Sequence, residues 1–283
     1  MSSWPLVIVP IYNAVAATTV CLAALQRNLP ADAEVLLIDD CSTESAIAPL
    51  LQTYAQLEAW QVQHNPENLG FVKTANIGLR QAPEHAVLLN SDTIVTSGWL
   101  ERMSAAIDES IATITPWSNN GEIVSLPEFC QANPVPLDPD AVALTIAATG
   151  KPEYPELPTA VGFCMLITAR AICKVGYFDE QTFGLGYGEE NDYSRRAVAI
   201  GLRNILCDDA FVCHLGNQSF GPRGIGADDA SMQRLLSLHP NYLQIIQEYI
   251  SDDPLSHRRS TLLTALADGN IKFPGTEYGK LDK

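Results

Sequence analysis

Along the first 115 residues, short unbroken apolar runs alternate with longer stretches in which apolar positions recur at helical spacing. Leu6 to Ile11 (LVIVPI), Val35 to Ile38 and Ala86 to Leu89 are such runs, and they suit strands buried on both faces of a parallel sheet. Pro10 is tolerable near the end of the first, where pairing stops. Gln61 to His64 reads as a further strand, and Ile111 to Thr115 as another. Helical patterns fill the intervals: Ala14 to Arg27, a helix begun by Gly70, Phe71 and Ala75 after the turn-rich Asn65 to Leu69, and a third from about Ser97 to Glu109. This alternation of strand and helix predicts a doubly wound α/β sheet.

Between Pro116 and Pro158 the pattern is lost. Eight prolines interrupt the segment, which reads as a long excursion over the surface with one helix near Asp140 to Thr149. Order returns at Val161 to Thr168 (VGFCMLIT), a strand, followed by a short helix at Ala169 to Val175. The glycine-rich loop GLGYGEEND precedes a helix from about Asp192 to Ile200, then short strands at Asn204 to Cys207 and Ala210 to Cys213, the second ending in His214. Beyond Gly226 the pattern is helical and closes in a polar tail, with no internal repeat or low-complexity segment.

Three apolar strands end in acids or amides: Tyr12-Asn13, Asp39-Asp40 and Asn90-Ser91-Asp92. A single acid in such a place is as readily a helix cap. If the sheet is parallel the three ends converge on one edge, which favours a pocket for a polar ligand over three unrelated caps. Asp92, two residues beyond an amide, suits a hard divalent cation that shares its oxygen ligands with phosphates. Asp39 and Asp40 suit a base N–H and ribose hydroxyls, Tyr12 the face of a base, and Lys73 a phosphate. A solvated helix face accounts equally for Lys73.

Composition narrows the partners. The net charge of -16 argues against nucleic acid and against polybasic attachment to anionic lipid, although Arg195, Arg196 and Arg203 could form a local patch. Hydrophobic residues at 47% and charged residues at 18% are those of a globular protein with ample core. Seven cysteines without a CxxC pair or regular spacing read as reduced thiols rather than a zinc site. Residues 1 to 11 enter directly into strand-like sequence and no apolar run approaches a membrane span, so the expectation is a cytoplasmic protein.

The segments PIYN, IDDCSTE, NPENLGFVKTANIGL, LLNSDTIV, VGFCMLIT, GYFDE and GYGEENDYSRRA stand in the order and spacing of family 2 glycosyltransferases of the GT-A fold. The resemblance spans residues 4 to about 220 and is especially close to bacterial rhamnosyltransferase-like enzymes of cell-surface polysaccharide assembly. It implies a Rossmann-like mixed central sheet flanked by helices. The catalytic domain would be residues 1–226, with about 1–115 binding the nucleotide sugar and 116–226 the acceptor. Residues 227–283 would form a helical C-terminal extension for packing, homodimer formation or acceptor binding.

The same resemblance implies an inverting transfer of a hexose or deoxyhexose from a UDP-, dTDP- or GDP-linked donor to a glycan or polyprenyl-linked acceptor. Such an acceptor would bring the protein to the inner face of the cell membrane. A Mg2+ or Mn2+ ion would bridge the donor phosphates. The family's Asp-x-Asp metal motif falls on Asn90-Ser91-Asp92, where only the last acid is kept. Asp92 is then the main carboxylate ligand, Asn90 contacts the ribose or a metal-bound water, and His214 completes the site, an imidazole that manganese accepts more readily than magnesium. Donor contacts fall on Pro10, Tyr12, Asn13, Asp39, Asp40, Asn68, Gly70, Lys73, Asn76, Asn90, Ser91 and Asn119. The family's acidic pair falls on Glu189-Glu190 in place of the more usual Glu-Asp, with Glu190 as base and with Glu189 and Asp192 positioning the loop or acceptor. These acids would also favour a helix N-terminus. Glycines 184, 186 and 188 would let the loop close over the donor, and Asp179 reads as scaffolding.

Other readings are weaker. A nucleotidyltransferase would want a glycine-rich basic loop after the first strand, where PIYNAVAATTV has none, and a dehydrogenase would want GxGxxG there. A degenerate fold kept for binding draws some weight from Asn90 and Glu190.

Overall fold

The computed structural model describes residues 4–184, 186–216 and 229–275. The first half alternates as its pattern predicts: β1 (Leu6–Ile11), α1 (Val15–Asn28), β2 (Val35–Asp39), α2 (Ile47–Tyr54), β3 (Trp60–His64), α3 (Phe71–Leu79) and β4 (Ala86–Leu89). Next come β5 (Thr93–Val95), α4 (Trp99–Ala105), β6 (Ile111–Trp117), α5 (Pro139–Ala148), β7 (Glu156–Leu157) and β8 (Cys164–Ile167). The chain continues through α6 (Ala169–Val175), α7 (Glu180–Phe183), α8 (Glu189–Ala199), β9 (Arg203–His214), α9 (Asp229–Leu238), α10 (Tyr242–Asp252) and α11 (Ser256–Asp268). The strands form one sheet in the order β3-β2-β1-β4-β8-β6-β9-β5, with β7 on β9. The first four are mutually parallel. Because β8 runs antiparallel to β4 and β6, the sheet is mixed.

Two apolar layers cover its faces. Val7, Val9 and Ile11 of β1 enter one cluster, with α1, α2, α4, α5 and α11, while Leu6 and Ile8 enter the other, with α3, α6, α8, α9 and α10. Burial on both sides is the reason that β1, β2 and β4 are apolar at nearly every position. The helices after residue 229 join this core: Leu235 and Tyr242 in one layer, Leu262 and Leu266 in the other.

Three features depart from the pattern-based expectation. The proline-rich stretch is not a loose excursion. Ile123, Val124, Leu126, Val142 and Ile146 within it are buried, and α5 lies against β9. Prolines exclude long helices but not burial, and Asn133 satisfies the loop's backbone by donating to the carbonyls of Asn119, Glu128 and Gln131. Next, β9 is one strand rather than two, because the interrupting Asp208 is fully buried and paired with Arg258 at 2.8 Å. Finally, α8 begins three residues earlier than expected, at Glu189, because Gly188 takes φ 100° and turns the chain there. Four short or weakly patterned elements, α2, β5, β7 and α7, were not foreseen. All seven cysteines are free thiols, and among the described residues no helix is long and apolar enough to cross a membrane.

Candidate active site

The carboxyl ends of β1, β2 and β4 open into a cleft of about 570 Å³, within the size range of small-molecule sites. Pro10, Tyr12, Asp40, Asn68, Gly70, Asn90, Ser91, Asp92, Glu189, Glu190 and His214 line it, so eleven of the residues expected from sequence meet there.

Asp92 meets His214 through a pairing that no local pattern announces. β5 runs antiparallel to the end of β9 with Thr93 opposite His214, and Leu215 N–H donates to the Asp92 carbonyl at 2.9 Å. The imidazole stacks on Phe163, with centroids 5.4 Å apart, and its Nδ1 donates to the Asn120 carbonyl at 2.8 Å. That bond leaves Nε2 facing Asp92 Oδ1 at 3.5 Å. Two donors so spaced fit a single ion held at about 2.1 Å from each. Burial alone lowers the imidazole pKa, and the hydrogen bond and charge of Asp92 more than reverse this. Among the described residues no three His, Cys, Asp or Glu side chains gather around one point.

Glu189 and Glu190 open α8 and line the cleft. Glu189 is 6% exposed, and its Oε2 has no hydrogen-bond partner. Burial, then the neighbouring Glu190 charge, pushes its carboxyl well above the ordinary range. Burial likewise raises Glu190, to about 7; Glu122 adds to the rise, and backbone N–H groups at the helix start oppose it. Glu122, at φ 49°, is a fifth acid of the cleft, and sequence reading missed it. Its carboxyl is also raised by desolvation. Asn120, Gly162, Phe163, Tyr187 and Gly216 were missed too, although Phe163 lies in VGFCMLIT and Tyr187 in the glycine loop. Every acid of the cleft therefore lacks a lysine or arginine beside it among the described lining residues.

The remaining expected residues lie outside the lining and are used within the chain. Asn13 Oδ1 accepts from the N–H groups of Thr43 and Glu44, which fixes the loop after β2. Asp39 accepts from Ser42 N–H at 3.0 Å and faces His64 Nδ1 at 3.0 Å. Lys73 is exposed on α3 near Glu180, whereas Thr74 one position on turns into the cleft. Asn76 clamps Phe178 through both backbone groups and donates to Glu180. Asn119 donates to the carbonyls of Asn133 and His214 and accepts from His214 N–H, so it holds the backbone of the histidine rather than reaching the cleft. Asp192 is tied to Arg196 at 2.8 Å and His239 at 2.9 Å. Asp40 lines the cleft, but both its oxygens are occupied, by Asn65 Nδ2 and by the N–H groups of Leu69 and Gly70.

A family model, Glycosyl transferase family 2, matches residues 6–128. Among solved structures, that of GalNAc-T7 with UDP, GalNAc and Mn2+ superposes with a TM-score of 0.63 at 16% identity, covering 96% of this chain and 56% of that one. S. aureus TarS 1–349 in complex with UDP-GlcNAc gives 0.58 at 17% identity, covering 93% and 79%. The mannosyltransferase PcManGT from Pyrobaculum calidifontis in complex with GDP-Man and Mn2+ gives 0.55 at 17%, covering 94% and 74%. No curated protein matches the sequence. Residues 6–128 thus match the family 2 glycosyltransferase model, and over nearly its whole length the chain has the GT-A fold of these solved structures.

Proposed function

We propose that the protein transfers a sugar, with inversion, from a nucleoside-diphosphate sugar to a hydroxyl of a glycan or polyprenyl-linked acceptor. The observation that carries this reading is the meeting of two chemistries in one cleft. An acid–imidazole pair, Asp92 and His214, lines it together with an acid pair, Glu189 and Glu190, whose carboxyls burial raises. Glu190 takes the proton of the acceptor hydroxyl. That oxygen attacks the anomeric carbon from the face opposite the diphosphate, whose bond to the sugar breaks and whose oxygen keeps the electron pair. A base of pKa about 7 is half ionised at neutral pH and suits this task.

A diphosphate entering a cleft lined by Asp92, Glu122, Glu189 and Glu190 meets like charge, and a divalent cation offsets it. Asp92 and His214 would hold that Mg2+ or Mn2+, which would neutralise the charge that builds on the leaving diphosphate. The solved relatives that hold UDP-GlcNAc, or GDP-Man with Mn2+, support this donor class. The sequence resemblance to rhamnosyltransferase-like enzymes narrows the sugar to a hexose or deoxyhexose.

Thermal unfolding of the purified protein with UDP, dTDP or GDP, with and without Mn2+, tests the reading. Ligand at a hundred times its Kd stabilises the native state by about 2.7 kcal/mol. The expected result is a metal-dependent rise for one nucleotide that disappears in Asp92→Ala. A nucleotide shift indifferent to metal and to Asp92 would overturn the metal assignment. No shift with any pair would favour a degenerate fold kept for scaffolding, a reading that Asn90 in the place of the first metal acid supports.

A further inference from the structure

The C-terminal helices reach the acid pair through a short hydrogen-bond chain. Tyr242 opens α10 and is buried, and its hydroxyl donates to Asn191 Oδ1 at 2.6 Å. Thr159, also buried, donates to the same oxygen at 2.8 Å, and its alternative acceptor, the Ala160 carbonyl, lies farther away at 3.1 Å. With both lone-pair directions of Oδ1 engaged by hydroxyls, the amide is turned so that Nδ2 points at Glu190, donating to its Oε1 at 3.2 Å. A second contact binds the same helical turn to the same extension, His239 Nε2 to Asp192 Oδ1 at 2.9 Å.

We propose that Tyr242, Thr159 and Asn191 are positioning residues for Glu190: the two hydroxyls fix the orientation of the Asn191 amide, and the amide donates to the carboxylate and favours its charged form. This deepens the role assigned to Glu190 above and rests on it for its catalytic meaning, though the network itself is a property of the folded chain. It also gives the helices beyond residue 229 a function at the cleft. The orientation matters in sign. A donor facing Glu190 favours the carboxylate and lowers its pKa, whereas the flipped amide would present an acceptor and favour the protonated acid. The other groups around this carboxyl are Glu189 on its own helix, Glu122 from the turn after β6, Tyr187 from the glycine loop, and Arg195 beside Tyr242. Of these only Arg195 carries a positive charge, and the Asn191 amide is a side-chain donor that the structure places on Glu190.

The test is a titration of Glu190 itself, read by carboxyl NMR of protein labelled at the glutamate side-chain carbon and assigned by the loss of one resonance in Glu190→Gln. Asn191→Ala is expected to raise the midpoint by about 1 to 2 pH units, the weight of one hydrogen bond to a charged group. Asn191→Asp keeps an acceptor for both hydroxyls but replaces the donor with a charge, and is expected to raise it further. Tyr242→Phe with Thr159→Val frees the amide to turn and is expected to reproduce most of the Asn191→Ala shift, while Tyr242→Phe alone retains the packing and gives a smaller one. An unchanged or lowered midpoint in Asn191→Ala and Asn191→Asp would overturn the proposal. In a transferring enzyme the acid limb of kcat/KM should move with the NMR midpoint, which a purely structural role would leave in place. If the midpoint moves as expected while the wild type transfers no sugar from any donor, the network stands and the proposed function fails.

Discussion

Two pairs of adjacent acids face the same region of this molecule, and they have opposite fates. Asp39 and Asp40 end a parallel strand, and their oxygens are saturated by the chain itself: Asp40 by an amide and two backbone N–H groups, Asp39 by a backbone N–H and His64. Glu189 and Glu190 open a helix, where backbone N–H groups oppose but do not overcome their desolvation. One Glu189 oxygen has no hydrogen-bond partner among the described residues, and the Asn191 amide donates to Glu190 at 3.2 Å. A buried carboxylate that receives several donors is stable as an anion and serves as a loop anchor. One that is desolvated and under-partnered is held near its protonation midpoint and keeps its lone pairs for a reacting group. Adjacent acids at an element's end are thus one sequence signal with two physical outcomes, decided by whether the donors around them outweigh their desolvation.

The largest effect expected from this contrast is on the rate. Glu190→Gln removes the base without changing shape and is expected to lower sugar transfer by about 10²- to 10⁴-fold, with nucleotide affinity little altered. Initial rates of transfer alongside nucleotide binding check this. If Glu190→Gln retains the rate within tenfold while Glu189→Gln abolishes it, the two glutamates exchange roles.

How much of this was legible in advance follows from the range of each interaction. The strand ends Tyr12, Asp40 and Asn90 to Asp92 were readable because strands buried on both faces are continuous apolar runs, and parallel neighbours bring their carboxyl ends to one edge. Lys73 was misleading for a local reason: one helical position, about 100°, separates the exposed lysine from Thr74, which turns into the cleft, and that rotation is set by packing rather than spacing. Asn76, Asn119 and Asp192 carry polar groups in the right motifs, yet each is committed to a partner distant in sequence: Phe178, His214 and His239. Glu122 was hidden in a proline-rich segment with no periodicity to place it. Tyr242 lay beyond the recognisable core, where nothing in a helical pattern indicates which residue will touch Asn191.

The next effect in size is on folding, and it belongs to the saturated pair. Asp40→Ala strands the N–H groups of Leu69 and Gly70 and the amide of Asn65, all buried or partly so. It is expected to cost about 2 to 3 kcal/mol in urea-induced unfolding and to weaken nucleotide binding only through the displaced loop. Glu190→Gln, by contrast, should not destabilise the protein at all. A loss of stability in Glu190→Gln equal to that in Asp40→Ala would erase the distinction between anchor and reactive pair.

The smallest effect is the most specific, because its sign depends on pH. The carboxyl of Glu190 has an ordinary value of 4.5 and is raised to about 7 in the folded protein by burial. Between those values the native state holds a proton that the unfolded chain has released, so stability falls as pH rises through this window and the loss is complete above pH 7. Glu189, raised for the same cause, adds a slope of the same sign. Glutamine does not titrate, so Glu190→Gln lacks the Glu190 part of that slope. Wild type and variant should be nearly equal in stability at pH 4.5. The variant should gain steadily with pH, reaching an advantage of about 1 to 2 kcal/mol at pH 8 once the residual exposure of Glu190 to the cleft is allowed for. Urea melts at four or five pH values measure the gap. A variant that is less stable than wild type at pH 8 would mean that the folded protein favours the Glu190 anion, and that the acid is an anchor like Asp40 rather than a base held ready.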